Sequence, residues 1–478
     1  MKRSSGVLMH ISSLYGEYSC GSFGKEALEF VDFLAECNFS EWQVLPFCMI
    51  DECNSPYKSY SAFGGNPYFV DLPTLFEEGL LTKEELDSAR QQTPYSCEYV
   101  RLYHTRVELL KKAAARCNDE TKEKILLFIN ENPYLQQFCE FMALKSVNGE
   151  KCWNEWDNHT PDEDVLFAWQ FIQYKFYEQW SKVKKYANSK GIRIIGDIPF
   201  YVSYDSADVW GNKSLFELSD NGMPKCVAGV PPDYFSEDGQ LWGNPLYNWD
   251  EMSKNSYGWW MARLQNMFTL FDGVRIDHFR AIESYWSVDA NEKTAKNGQW
   301  KTGPGKAFVD MINKIKGDKL IIAEDLGLIT KEVEELVSYS GFPGMRVLQF
   351  GFLADDDTPH KPHNYINNCI AYTGTHDNNT LLGYVWELGE NERKNLMEYC
   401  GYDNPDWNRG YDSIVRTIYA SNAGIVILPI QDLLGYGSDT RLNIPGKADG
   451  NWQFRITREQ LGEINKEKYK RWNFVYKR

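Results

Sequence analysis

Gly273-Val274-Arg275-Ile276-Asp277 is a short apolar run that ends on a carboxylate, and two later segments repeat this pattern. Leu320–Glu324 is the second such segment, and Ile370–Asp377 is the third. Apolar runs of this length, bounded by turn residues, are typical of buried parallel strands. A charge at the end of such a strand is costly unless it is paired or used, and the carboxyl ends of barrel strands hold the active site. The pattern therefore predicts three carboxylates, Asp277, Glu324 and Asp377, on one rim of a barrel.

Strand-like segments recur along the whole chain, and most are separated by helical patterns. They are Gly6–Met9, Glu41–Leu45, Ile192–Asp197, Gly273–Asp277, Leu320–Glu324, Met345–Gln349, Ile370–Thr373 and Ile425–Leu428. Repeated strand–helix alternation of this kind predicts an α/β fold, a single (β/α)8 TIM barrel. An open doubly wound sheet remains the alternative, because the sequence does not show whether the sheet closes into a barrel.

Two stretches are too long to be ordinary connections of about 2–6 residues. Residues 48–165 predict an inserted, largely helical subdomain. Residues 198–258 are rich in Gly, Pro, Asn, Asp and aromatic residues, and they predict an active-site loop subdomain. We therefore expect residues 1–478 to form one catalytic domain with two insertions and without a separate C-terminal β domain. The tail from Arg458 to Arg478 is predicted to be helical.

The composition argues against several classes of protein and ligand. The net charge of −16, from 51 basic and 67 acidic residues, argues against nucleic acid and anionic membranes as partners. The 11 cysteines contain no Cys-x-x-Cys pair, so we expect reduced thiols rather than disulfides or a zinc site. The chain has no apolar stretch near the roughly 20 residues of a membrane span, and its basic N-terminus lacks the apolar region of a signal peptide. We expect a cytoplasmic protein.

The three carboxylates have the chemistry that glycosidic bond cleavage needs. Arg275 precedes Asp277 by two residues, so both side chains share a face, and the guanidinium would keep Asp277 ionised as a nucleophile. Glu324 follows an apolar run, so partial burial would raise its pKa and let it act as acid and then as base. Asp377, next to His376, is expected to hydrogen-bond sugar hydroxyls and to stabilise positive charge. The alternative for each acid taken alone is a simple ion pair on the rim.

Two carboxylates roughly 5–5.5 Å apart would retain the configuration of the sugar through a covalent intermediate. Three acids at the ends of barrel strands therefore favour a glycosidic reaction over three unrelated ion pairs.

Two other patterns resemble known sites but lack the required spacing. Gly298–Lys306 suggests a phosphate loop, yet it lacks the G-x-x-x-x-G-K-[ST] spacing, and Pro304 removes an N–H donor. Asp355–Asp357 with His360 and His363 lacks the spacing of a calcium loop and is interpreted as a solvated loop. We therefore predict neither a metal site nor a cofactor.

The order of motifs resembles the α-amylase clan, whose nucleophile motif matches Val274–His278. More narrowly, the chain resembles the 4-α-glucanotransferases of the amylomaltase (disproportionating enzyme) family, glycoside hydrolase family 77. The matching motifs are Ser4–His10, Trp42–Pro46, Ser55–Pro67, Gly196–Val202, Pro231–Phe235, Gly239–Pro245, Asp277–Arg280, Ala323–Gly327, Gly374–Asn378 and Arg441–Gly446.

The resemblance implies a role for each matching residue. Asp277 would be the nucleophile, Glu324 the acid/base and Asp377 the stabiliser of the transition state. Residues implied to contact substrate are Arg275, His278, His376, Asp197, Tyr57, Trp242, Ser55, Asp233, Tyr234, Gln240 and Asn443. Tyr57 would stack at the cleaved sugar, and Trp242 would belong to a loop over the acceptor sites. Packing is the alternative for both aromatic residues, a structural hydrogen bond is the alternative for the two histidines, and Asp197 could cap the following turn.

The activity implied is 4-α-glucanotransfer without a cofactor. The donor would be a maltooligosaccharide or a starch- or glycogen-type α-glucan, and the acceptor the 4-hydroxyl of another glucan or of glucose. The closest alternative is an α-1,4-glucan hydrolase, since the same three acids serve both reactions. The loop carrying Trp242 favours transfer, because covering the intermediate disfavours water. Inactive glucan-binding proteins and nucleotide-sugar transferases are more distant alternatives, and the latter need a phosphate site.

Two stretches depart from the family pattern. Ile11–Gly16 stands where the family usually has Pro-Thr-Ser-Leu-Pro-Gly, and Asp51–Asn54 replaces the usual Gly-Tyr-Gly-Asp. The missing aromatic lies where some relatives have a secondary glucan contact. The departures therefore bear on long-chain binding and cyclic products, while the catalytic motifs are intact.

Overall fold

The predicted barrel is closed in the computed structural model, which describes residues 1–232, 236–353, 357–404, 406–447 and 449–478. The strands in this part of the chain are β1 (Ser4–Leu8), β2 (Glu41–Gln43), β3 (Arg193–Ile198), β4 (Cys226–Val230), β5 (Gln240–Pro245), β6 (Gly273–Ile276), β7 (Ser284–Asp289), β8 (Gly298–Thr302), β9 (Leu320–Ala323), β10 (Gly344–Val347), β11 (Cys369–Tyr372) and β12 (Ile425–Pro429). The barrel order is β1-β12-β11-β10-β9-β6-β3-β2, with every pair parallel. The (β/α)8 prediction is confirmed, and the open sheet is excluded.

Helices cover the barrel and build much of the inserted chain. The α-helices are α1 (Lys25–Glu36), α2 (Leu72–Glu77), α3 (Lys83–Ser88), α4 (Tyr99–Ala115), α5 (Asp119–Asn130), α6 (Pro133–Val147), α7 (Glu163–Ser189), α8 (Ala207–Gly211), α9 (Trp249–Ser253), α10 (Gly258–Leu270), α11 (Gly305–Ile315), α12 (Lys331–Ser340), α13 (Leu381–Glu387), α14 (Glu390–Tyr399), α15 (Tyr411–Ala420), α16 (Ile430–Leu434), α17 (Arg458–Glu463) and α18 (Lys466–Val475). None of the helices in the described ranges has both the length and the apolar character needed to cross a bilayer.

Local chemistry accounts for two differences from the predicted elements. The strand predicted to reach Gln349 ends at Val347, because Leu348–Phe352 winds into a 3-10 helix. The C-terminal tail is divided into two helices. Ile464 leaves the helical backbone region, and the Asn465 side chain accepts the N–H of Lys468 as the cap of α18.

The first insertion, residues 48–165, contains α2 to α6 and runs into the 27-residue helix α7. Two buried glutamines on α7 hold the segment that follows Tyr57. The Gln173 amide accepts the N–H of Gly65 at 2.7 Å and donates to its carbonyl at 3.1 Å. Gln179 makes the same pair of bonds to Asp71, at 2.7 and 3.3 Å. These hydrogen bonds therefore fix the segment after Tyr57 against α7.

The second insertion, residues 198–258, is not only a loop. Its strands β4 and β5 form an antiparallel sheet with β7 and β8, in the order β5-β4-β7-β8. Strands β7 and β8 come from the connection after β6, so the sheet is built from two different connections between barrel strands. Gln240 and Trp242 lie on β5, at the edge of this sheet.

Candidate active site

Strand register brings the predicted acids to one end of the barrel. Asp277 directly follows β6, and Glu324 directly follows β9, the strand that pairs with β6. On the other side of β6, Asp197 of β3 is the register partner of Arg275. Asp377 follows β11 after a short turn. The carboxyl ends of parallel strands share one edge, which is why these side chains meet there.

Arg275 links two of the carboxylates. Its Nη1 donates to both oxygens of Asp197, at 2.9 and 2.7 Å, and its Nη2 donates to Asp277 Oδ1 at 2.6 Å. Burial would lower the pKa of Arg275, but the charges of Asp197 and Asp277 hold that pKa well above its ordinary value. The same burial raises the pKa of Asp197, an effect that the Arg275 charge opposes. Asp277 thus carries a charge-assisted hydrogen bond to a permanent cation.

Glu324 is only 9% exposed, and backbone N–H groups orient its carboxyl. The N–H of His278 donates to Oε2 at 2.7 Å, and the N–H of Leu326 donates to Oε1 at 3.0 Å. Burial raises the pKa of Glu324 to about 8, while the Arg275 charge opposes the rise and the nearby Asp277 charge adds to it. Glu324 can therefore carry a proton at neutral pH beside Asp277, the acid that Arg275 binds.

The left-handed backbone of His278 belongs to this arrangement. Its φ of 51° is rare for a residue with a side chain, and it occurs at the turn between Asp277 and the short helix that follows. Loss of solvent around the ring lowers the pKa of His278 to about 3, so the imidazole is neutral. Trp242 meets this ring edge to face, with 4.8 Å between the centroids.

Asp377 is held in its charged form. Its Oδ1 accepts the amide N–H of Asn443 at 2.6 Å, and Nε2 of His376 lies 3.2 Å from Oδ2. Partial loss of solvent would raise the pKa of Asp377, but His376, Asn443 and the Arg275 charge hold it well below its ordinary range. Arg441 donates to the backbone carbonyl of Asp377.

Tyr57 connects the Asp377 side of the site to the Arg275 side. Its hydroxyl donates to Asp197 Oδ2 at 2.7 Å, and its ring stacks on His376 with 5.1 Å between centroids and 17° between planes. One face of Tyr57 is therefore in contact with an imidazole, which the sequence does not indicate. The nearby hydroxyl of Ser55 accepts the N–H of Tyr57 at 3.3 Å.

The remaining predicted contact residues fall into two groups. Gln240 is exposed on β5 and accepts the indole N–H of Trp242 at 3.2 Å, so both residues lie on the side of His278. Asp233 and Tyr234 lie outside the described residues.

Three neighbours of the site were not predicted as contacts. Arg441 lies in a quoted motif, so a signal for it existed. Tyr201 also lies in a quoted motif, Gly196–Val202, and its ring contacts His278. Trp452 lies outside the quoted motifs and is found only through its ring contact with His376.

Residues 355–363 contain the acids and histidines that are interpreted from the sequence as a solvated loop and not as a metal site. Asp355 and Asp356 lie outside the described residues, and Asp357 contacts His363 at 3.1 Å. Within the described ranges, no group of three or more His, Cys, Asp or Glu side chains is arranged to hold a metal ion.

Paired carboxylates with separated pKa values can perform acid, base and nucleophilic steps at one carbon. Here one acid is buried and has a raised pKa, one accepts a hydrogen bond from an arginine, and a third has a lowered pKa. This combination suits reactions that pass through a positively charged sugar.

Comparisons with known proteins find relatives that match nearly the whole chain. A family model described as 4-alpha-glucanotransferase matches residues 9–460. A 4-alpha-glucanotransferase of Streptococcus pneumoniae is 41% identical, over 96% of this chain and 94% of the relative. The chloroplastic/amyloplastic 4-alpha-glucanotransferase of Arabidopsis thaliana is also 41% identical, over 95% of this chain and 82% of its own. The structure of an amylomaltase from Streptococcus agalactiae in complex with acarbose is 38% identical, with a TM-score of 0.95 over 100% of both chains.

Proposed function

The chain belongs to the 4-alpha-glucanotransferase family, and we propose that it moves an α-1,4-glucan segment from a donor maltooligosaccharide to the 4-hydroxyl of a glucan or glucose. The observation that carries the proposal is the pairing of Asp277 with Arg275 beside the buried Glu324 on the adjoining strand. Starch- and glycogen-type α-glucans belong to the same substrate class.

The reaction proceeds in two displacements at the anomeric carbon. In the first, Glu324 gives its proton to the glycosidic oxygen, and an Asp277 oxygen attacks C1 as the C1–O bond breaks. The shortened glucan leaves with its new hydroxyl, and the donor segment stays as an ester of Asp277. In the second, ionised Glu324 takes the proton of the acceptor 4-hydroxyl, whose oxygen attacks C1 and releases Asp277. Two inversions give net retention.

The neighbouring side chains stabilise this intermediate and its transition states. The negative charge of Asp377 opposes the positive charge that develops on the sugar, while His376 and Asn443 hold its carboxylate. Asp197 and Tyr57 fix Arg275 from the opposite side. The further residues to which we assign substrate contacts are His278, Trp242, Ser55, Asp233, Tyr234 and Gln240.

Maltotriose as the only substrate tests the activity. Transfer would produce glucose and a ladder of longer maltooligosaccharides, with no change in the total number of reducing ends. A hydrolase would produce only maltose and glucose and would raise the number of reducing ends. That second outcome, at every substrate concentration tested, would replace the proposal by the hydrolase alternative.

The pH dependence follows from the protonation state of Glu324. The active form is the protonated one, so it is present below the raised pKa and lost above it. We expect kcat/KM for maltotriose to fall as pH rises through about 8, because Glu324 titrates there in the free enzyme. An alkaline limb in the ordinary glutamic acid range, at about pH 4–5, would contradict the assignment.

Replacement of Trp242 should shift the balance between acceptor and water. Trp242 lies over His278, the residue after Asp277, so its indole screens that side of the intermediate. We expect Trp242→Ala to raise the ratio of hydrolysis to transfer by about tenfold on maltotriose, measured as new reducing ends per glucose released. Trp242→Phe is the matched control, because it keeps a ring over His278 and should stay close to the wild-type ratio. An unchanged ratio in both variants would remove Trp242 from this role.

The domain organisation and location follow as parts of the proposal. Residues 1–478 act as one catalytic domain, and the insertions near 48–165 and 198–258 supply walls of the substrate cleft. A cytoplasmic location is consistent with the 11 cysteines, all of which are free thiols.

A further inference from the structure

A small cavity adjoins His376 at the ends of β1 and β12. Its volume is about 20 Å³, and its lining includes His10, Ser13, His376 and Gln431. The two histidines and Ser13 are at most 6% exposed, so this part of the lining is buried. A space of roughly 10–15 Å³ on this measure is enough for one water molecule, provided that two to four polar partners surround it.

His10 has a defined tautomer. The backbone N–H of Leu45 points at Nδ1 of His10 at 3.2 Å, and because a backbone N–H can only donate, this nitrogen carries no proton. Burial lowers the pKa of His10 to about 3, so the ring is neutral. The proton is therefore on Nε2. Within the described residues this Nε2–H has no protein acceptor, although the ring lines the cavity.

Two other groups at the cavity lack a partner in the same way. The hydroxyl of Ser13 is buried without a hydrogen bond to any described residue. His376 uses Nε2 towards Asp377, while its Nδ1 has no partner among the described side chains and backbone groups. Buried polar groups are rarely left unsatisfied, because each costs free energy.

We propose that one ordered water occupies this cavity and bridges His10, Ser13 and His376. The water accepts from His10 Nε2–H and donates to Nδ1 of His376 and to the Ser13 hydroxyl, which is the usual number of bonds for a buried water. Acceptance at Nδ1 places the proton of His376 on Nε2, which lies 3.2 Å from Asp377 Oδ2. The opposite tautomer would set a lone pair against the carboxylate. His10 is thus a positioning residue for Asp377, and only its effect on transfer rests on the proposed function.

The tautomer of His376 can be measured directly. In protein labelled with 15N-histidine, two-bond 1H–15N correlations distinguish Nε2–H from Nδ1–H imidazole. We expect the Nε2–H form of His376 at pH 8, and a water peak in the cavity at high crystallographic resolution. An Nδ1–H form, an imidazolium or a cavity without a water peak would each overturn the proposal.

Two substitutions of His10 separate bridging from simple packing. Asn places its oxygen where Nδ1 lies, so His10→Asn keeps the Leu45 bond but loses the donor to the water. Gln places its amide nitrogen where Nε2 lies, so His10→Gln keeps that donor but loses the acceptor for Leu45. We expect kcat to fall roughly tenfold in His10→Asn with KM nearly unchanged, and to return within about threefold of wild type in His10→Gln.

A structural role alone would reverse this order, since the loss of the Leu45 bond would then dominate, and that result would overturn the proposal. Thermal unfolding of both variants checks that each is folded during the assay. Wild-type disproportionation of maltotriose is measured in parallel. If wild-type disproportionation is absent, the proposed function fails. The tautomer of His376 and the water peak in the cavity then still test the water bridge, because neither measurement depends on activity.

Discussion

Asp277→Asn should lower kcat for maltotriose disproportionation by about 10⁴-fold or more. The Asn side chain keeps an oxygen for the hydrogen bond from Arg275, so the local structure has little reason to change. It cannot form a stable ester with C1, however, and the first displacement is lost. Glucose release under saturating substrate measures the effect.

The matched control for this variant is Asp289→Asn. Asp289 ends β7 on the protein surface, and its carboxylate accepts two N–H groups of Asn291. The same chemical change there should leave kcat within about twofold of wild type. In wild type, a 2-fluoro maltosyl fluoride should add its sugar to the peptide that contains Asp277, as detected by mass spectrometry. Label on another carboxylate would falsify the assignment of the nucleophile.

Glu324→Gln should lower kcat for maltotriose by about 10²- to 10⁴-fold, because Gln cannot give a proton to the leaving oxygen. With α-maltosyl fluoride as donor the loss in the first step should be much smaller, since fluoride leaves without protonation. The glycosyl-enzyme should then accumulate, because the second step still needs a base. The alkaline limb of the pH profile should also disappear in this variant.

An equal loss on both donors would show a structural effect instead. Such a structural effect would arise at the backbone, because both carboxyl oxygens of Glu324 accept N–H groups, from His278 and Leu326. Gln has one accepting oxygen, so one of these N–H groups faces an amide donor. A thermal unfolding curve of Glu324→Gln beside wild type separates the two explanations.

The barrel and its acids could be predicted because their signals are local. The apolar runs that end at Asp277 and Glu324 predict both the strands and the position of these acids at the strand ends. The two-residue spacing from Arg275 to Asp277 predicts that the two side chains lie on the same face. The raised pKa of Glu324 agrees with the burial expected at the end of an apolar run.

Other features depend on contacts between distant parts of the chain, and the local sequence does not predict them. The sheet of β4, β5, β7 and β8 pairs segments from two different connections, and β4 and β5 lie in residues 198–258, whose Gly, Pro, Asn and Asp content predicted a loop. The stacking of Tyr57 on His376 joins residues more than 300 positions apart. Burial of His10 beside His376 likewise depends on the closure of β1 against β12.

The glutamine clamps on α7 have a consequence for engineering. Gln173 and Gln179 each satisfy both backbone groups of one residue in the segment after Tyr57, so the helix and the segment fit each other. A chimera that imports residues 55–71 from a relative without its matching helix would lose the fit between them. A recombination experiment that aims to alter chain-length preference should therefore exchange residues 55–71 and 163–189 together, as one unit.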